Sequence, residues 1–379
     1  MLSHSRNVSQ ARRGFTAIEL AAVVGLTAIV GTQVIPAAHR ARANNRGLGS
    51  ATNLMTIGQA AGMYGLDNED RIPTYSVGIE DGMAGSFDFD LPDGSSIRIR
   101  QDADGASAQM TEILQRRTGR IDGEFAILNE PTRLPQRRFT NLVLLDYMDS
   151  PLFDPVFIDP ADANLLNWAA NPLDYGPGSS VPYADPVPAG YDTDGNWTRE
   201  STRQRWAFGS SYQAVPAAWQ PDGLDGAPVY TPVEQTPHLF AITGFGIAGV
   251  ELSNGRRFSH VRFPAAKVYQ FEEFDREQAG DPYFAYDHAR AEKLMFDGSA
   301  NSLPSVDARP SNNIAILGPA EKFEWKQTYV PLDTFPVPLG GLGDETPLSQ
   351  RFRWTLGGLR GADYVAPISI PGRPVGRSR

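Results

Sequence analysis

From Phe15 to Ala38 the chain runs 24 residues with one charge, Glu19. As a helix rising roughly 1.5 Å per residue this stretch is about 36 Å long, enough to cross a hydrocarbon core of roughly 30 Å. A segment of that length and composition limits the chain to proteins that carry an N-terminal anchor or signal ahead of a separate folded part. The leader before it is polar and basic and ends Ala11-Arg12-Arg13-Gly14. A carboxylate inside an apolar span is costly in lipid and needs a cationic partner or a proton, so Glu19 is a functional-site candidate on physical grounds alone.

The order Gly14-Phe15-Thr16-Ala17-Ile18-Glu19-Leu20 followed by a hydrophobic helix resembles the type IV pilin and type II secretion pseudopilin family. With Phe15 as the first mature residue, Pro36 falls twenty-second, where many of these proteins carry a helix-loosening Pro. Many members have Gly at the position held here by Ala28, with Gly25 and Gly31 nearby instead. The resemblance implies a prepilin peptidase that cuts after Gly14 and methylates the new amino group of Phe15. It also implies that Glu19 pairs with the amino terminus of a neighbouring pilin subunit, and that the head lies outside the inner membrane. A rival reading is an exported soluble enzyme or carbohydrate-binding protein. Its signal would be an ordinary anchor or a twin-arginine type, since Arg12-Arg13-Gly14-Phe15 fits that pattern too. No small-x-small cleavage site follows the apolar run, and Glu19 interrupts it.

Charge is distributed unevenly along the chain. Residues 1 to 46 hold six Arg against Glu19, a net of plus 5, and residues 351 to 379 hold six Arg against Asp363, another plus 5. The formal total of minus 10 therefore leaves about minus 20 on residues 47 to 350. An acidic surface of that size disfavours nucleic acid as a partner. The 37 Gly and 30 Pro predict many turns and long loops. With no Cys at all, disulfides, zinc-thiolate sites and cysteine nucleophiles are excluded.

Beyond the apolar stretch, Ala51, Leu54, Met55, Gly58, Ala61 and Gly62 recur at helical spacing, which predicts a head-packed helix from residue 39 to about Leu66. Its end, Tyr64-Gly65-Leu66-Asp67-Asn68-Glu69-Asp70, resembles the helix exit of pseudopilins common in planctomycete-type bacteria. From Ser86 to Arg100 the chain alternates around Pro92-Asp93-Gly94, with Phe87 and Phe89 answering Ile97 and Ile99, and reads as a hairpin. Residues 131 to 240 show no clean period and are expected to form a loop-rich insertion. Within them Asp159-Pro160-Ala161-Asp162 resembles a family segment that often begins with Cys. Phe263 to Glu273 reads as a strand ending in an acidic pair. Leu294 to Asn301 reads as a two-residue Asp297-Gly298 turn between short strands. With His288 eight residues before Asp297, this part resembles a pilin-like family that has a His, a nine-residue gap and Asp-Gly. The tail from 351 to 379 is expected to be flexible.

Chemistry beyond assembly has thin support. Gly244 to Gly249 imitates a dinucleotide-binding loop, but no helix of useful length follows to hold a phosphate. Asp192, Asp194 and Asn196 cluster oxygen ligands as calcium loops do, as Asp102 and Asp104 do more thinly. Trp197 stands where a calcium loop needs Gly and Arg203 where a bidentate Glu would close it, so a solvated turn accounts for the cluster as well. Calcium is the cofactor such a site would take. The five His show no metal spacing and no nucleophile elbow is present, so the sequence offers nothing for an enzyme. Adjacent acids such as Glu272 and Glu273 would point to opposite faces of a strand. The expectation is an α+β, pilin-like subunit: a long N-terminal helix packed on an antiparallel sheet, with loop-rich insertions.

Overall fold

The computed structural model describes residues 46–77, 86–123, 126–129, 133–148, 152, 154–170, 208–219, 233–235, 240–242, 255–277, 284–309, 351–355 and 357–364. It is an α+β structure of helices and antiparallel sheets. Among these residues no helix is long and apolar enough to cross a membrane. The stretch from Phe15 to Ala38 lies outside them.

Helix α1 is described over 46–67, one residue past the expected end. It buries Ser50, Leu54, Ile57, Ala60 and Ala61 on one stripe, the three-and-four spacing of an amphipathic helix. Met55 and Gly62, read as part of the same small-residue face, lie on the exposed side instead. The helix stops because Glu69 and Asp70 take positive φ, 54° and 66°. Asn68 gives the Tyr64 carbonyl both its backbone N–H at 2.9 Å and its side-chain amide at 2.8 Å, a doubled bond that closes the last turn.

The main sheet has the order β4 (Tyr212–Ala214), β7 (Val268–Glu272), β8 (Lys293–Met295) and β9 (Ala300–Asn301), all antiparallel. A register shift between Val268 and Gln270 leaves Tyr269 as an extra residue in β7, a bulge of the kind that turns an additional side chain to one face. One face carries Tyr212, Glu272 and Leu294 toward α1. A Cβ at Gly58 would stand only 3.0 Å from Leu294 Cδ1, so the missing side chain lets helix and sheet approach closely.

On the other face Phe271, Phe284 and Phe352 pack with ring centroids 4.7 to 5.3 Å apart. Phe352 belongs to the stretch expected to be a flexible tail. Residues 351–364 are instead built into the core, with Phe352, Arg353 and Leu359 fully buried. They also supply Asp363 to buried Lys267 at 3.1 Å and Thr355 to the same ammonium at 2.6 Å. Their Arg and Gly content suggested a tail, but the apolar residues between and the ion pairs hold them in place.

The hairpin of β1 (Phe87–Asp90) and β2 (Ser96–Ile99) has the expected register, Phe87 opposite Ile99 and Phe89 opposite Ile97. Both expected turns share one geometry. In each, the Gly amide bonds back three residues, Gly94 to Leu91 and Gly298 to Met295, both at 3.0 Å, and φ is positive, 82° and 84°. In each, the Asp carboxylate accepts from the Ser that follows, both N–H and O–H. The Asp297-Gly298 turn is therefore a three-residue loop closed by a left-handed Gly, not the two-residue turn expected from the dipeptide. Gly298→Ala should cost about 1–2 kcal/mol, because a Cβ there meets nothing and the loss is backbone strain alone. Gly62→Ala, equally open but inside α1, should gain about 0.5–1 kcal/mol. Urea unfolding of the two variants checks the pair; equal effects would contradict this account.

Helix α2 (Asp102–Thr118) ends at Gly119 in the left-handed region and packs against β2 and β3 (Arg133–Leu134). Its first turn holds Asp102 and Asp104, and the Asp104 carboxylate accepts from Arg100 N–H at 3.2 Å. Strand β3 joins β6 (Phe240–Ile242) and β5 (Val233–Gln235) in a second antiparallel sheet. The segment read as an insertion thus contributes strands, the short helix α3 (Ala163–Ala170) and much of the core, including Phe139, Leu144, Phe157 and Trp219. Its 3-10 turns at Thr140–Tyr147 and Pro155–Phe157 are too short or too tightly wound to show a helical period in sequence.

Candidate functional site

The described start of α1 sits against a concentration of carboxyl groups. Glu272 at the end of β7 is buried and accepts from the Ser50 hydroxyl of α1, and its other oxygen accepts from Glu292 N–H at 3.2 Å. Ser50 also lies 3.1 Å from the Tyr212 hydroxyl, and Asn53, one helical turn on, donates to the Ile158 carbonyl at 3.0 Å. Asp159 is fully buried beside Glu272; one of its oxygens accepts from Ala161 N–H and the other has no other donor. Burial first, then the charge of Asp159, pushes Glu272 well above the ordinary carboxylate range.

Two more acids stand at the rim. A Cβ at Gly47 would lie 3.4 Å from Glu277 Cγ and 3.6 Å from Glu292 Oε1, so the helix backbone rests on both side chains. Glu277 is pushed up to about 8 by burial and by Asp159, Asp275 and Glu292. Glu292 is raised to about 7, chiefly by burial, with Lys293 opposing. Both Glu277 oxygens are shielded from solvent and accept no hydrogen bond. Asp162 is differently placed: Arg276 pairs with it at 3.0 Å and the Ser211 hydroxyl donates to it at 2.9 Å. Among the described residues no group of three or more His or acidic side chains is placed to hold a metal ion.

The acidic pair expected at the end of β7 divides between the two sides of the sheet. Glu272 meets α1, whereas Glu273 pairs with buried Arg138 at 2.9 Å and with Arg353 at 3.9 Å. His288 is exposed and stacks on Tyr286 with centroids 5.8 Å apart. Asp297 and Gly298 form the β8–β9 turn, and Gly298 Cα would lie 3.6 Å from a Cβ at Gly58, which places this turn over α1. Gly14, Phe15, Glu19 and Pro36 lie outside the described residues, as do Asp192, Asp194, Asn196 and the Gly244 to Gly249 loop.

Sequence reading missed Ser50, Asn53, Tyr212, Glu277 and Glu292 as members of one site. A usable signal was present in Gly47 and Gly49, two glycines opening an otherwise good helix, since such residues mark close backbone approach. A Cβ at Gly49 would stand 3.0 Å from Pro160.

A second feature of α1 is its outer face. No charged residue occurs from 47 to 66. Leu48, Met55, Met63 and Leu66 are 46 to 87% exposed there. A surface helix of a globular protein ordinarily turns charged residues to the outside.

The chain matches no family model, no curated protein and no solved structure.

Proposed function

We propose that this chain is a structural subunit of a type IV pilus or type II secretion pseudopilus, minor or at the tip. Prepilin peptidase processes it after Gly14, and Phe15 to Ala38 anchor it in the inner membrane before assembly. The observation that carries this reading is the pairing of an N-terminal apolar span with an α1 whose outer face carries no charge from residue 47 to 66. That face exposes large apolar side chains over about five turns while the inner face packs on an antiparallel sheet. Exposed apolar surface of this extent marks a contact face, and a helix already joined to the anchor would meet other helices in a filament. The acidic head would remain on the outside of the assembly.

N-terminal sequencing of the mature protein tests it. The expected result is a chain that begins at Phe15 with a methylated amine. A start near His39 would establish the exported, signal-cleaved rival, and an intact Met1 in cells with an active prepilin peptidase would remove the processing step on which assembly depends.

A further inference from the structure

We propose that the carboxyl cluster under the first described turns of α1 is a proton-operated latch. The helix end is seated on the head when the cluster is protonated and is released when it ionises. The inference concerns the head alone and does not rest on the filament reading.

Geometry makes the seat sensitive to charge. Gly47 brings backbone within van der Waals contact of Glu277 and Glu292, and both Glu277 oxygens are shielded from the water an ionised carboxylate would draw in. Ser50 closes the inner end on Glu272, which burial and the neighbouring charge of Asp159 push well above the ordinary carboxylate range. The surrounding charges do not balance the acids. From the segment after β7, Asp275 faces Glu277 and Glu292, and Arg276 opposes Glu277 while committed to Asp162. From β8 and the residues before it, Lys293 faces Glu292, and its ammonium is already engaged by the Leu303 carbonyl at 2.8 Å. Arg290 there acts on Lys293, and its own N–H is given to Asp275 at 2.6 Å. From β4, Tyr212 adds a buried phenol, and from α1 Arg46 is exposed.

The sign follows from the direction of the shifts. Glu277 and Glu292 hold protons in the seated form that they would lose once exposed, with values of about 8 and about 7 against 4.5. Seating is complete below the ordinary carboxylate range and is lost as pH rises through the seated values. For one linked proton the seated-to-released ratio falls about tenfold per pH unit within that window.

The absence of Cys makes a clean test available. A nitroxide label on Leu48→Cys of the full chain in detergent would report the helix end, and the same label on Met63→Cys the far end. Spectra from pH 5 to 9 should show the label at 48 passing from restricted to mobile while that at 63 stays unchanged. In a Glu277→Gln, Glu292→Gln background, where neutral side chains mimic the protonated acids, the label at 48 should stay restricted throughout. The proposal is overturned by a label at 48 that stays restricted to pH 9, by a transition that survives both Gln changes, or by joint loosening at 48 and 63. Failure of the double Gln variant to fold at pH 6 would also overturn it, because the seat would then require ionised acids.

Discussion

Glu19→Ala is expected to abolish assembly while leaving the chain in the membrane and cleaved after Gly14. The expectation rests on the cost of a carboxylate in an apolar span, about 2.5–3.5 kcal/mol at the centre of a helix. No Lys or Arg lies between Phe15 and Ala38 to offset it within the same chain. In the proposed filament the cation is the freed amino group of Phe15 on an adjacent subunit, so proteolysis creates the partner as well as removing the leader. Removing the only charge of the span should leave insertion intact or improve it, and cleavage should continue because it depends on Gly14. Gly14→Glu should behave in the opposite way, accumulating as an uncleaved membrane precursor. Crosslinking of neighbouring subunits in cells that carry the matching assembly machinery reads both variants. Glu19→Ala subunits entering filaments as efficiently as the parent chain would show that the pairing role is wrong.

What the sequence made legible is what short-range chemistry controls. Alternation around Pro92-Asp93-Gly94 was enough to place the Phe87 to Ile99 hairpin in register, because the turn closes within the same few residues. The period of α1 placed Leu54 and Ala61 on its inner stripe but missed Ser50, Ile57 and Ala60 and misplaced Met55 and Gly62, because the outer face also carries large apolar side chains. The seat of α1 was not legible for a different reason. Ser50 meets Tyr212 across 162 residues and Glu272 across 222. No local pattern encodes such a meeting; the chain order β4–β7–β8 and the crossing of α1 over it create it. The stretch 351–364 failed in the same way, since Arg351, Arg353 and Arg360 read as solvated cations. Arg353 is in fact buried, donating to Gln213 at 3.1 Å and facing Glu273.

That buried network makes two neighbouring residues opposite in their expected response to one substitution. Glu273→Gln should cost about 3–5 kcal/mol, because it leaves the guanidiniums of Arg138 and Arg353 in the core without the carboxylate that faces both. Arg353 cannot reach water without opening the packing of Phe284 and Phe352, since it lies over the Phe284 ring at 5.8 Å, and Arg138 is as deeply buried. Glu272→Gln, one residue earlier, should cost less, about 1–2 kcal/mol at pH 6. Burial favours the neutral form of that carboxyl, and an amide oxygen can still accept from Ser50, but the amide NH2 then faces the Glu292 N–H from which the lost oxygen accepted. Above the seated range the two differ further, since Glu272→Gln removes a group that burial penalises when charged and should then become stabilising. Urea unfolding of both variants at pH 6 and pH 9 measures the contrast. A loss below about 1 kcal/mol for Glu273→Gln would mean the two arginines are held by other partners. A loss at Glu272→Gln as large as that at Glu273→Gln would mean that Glu272 is ionised in the seated helix.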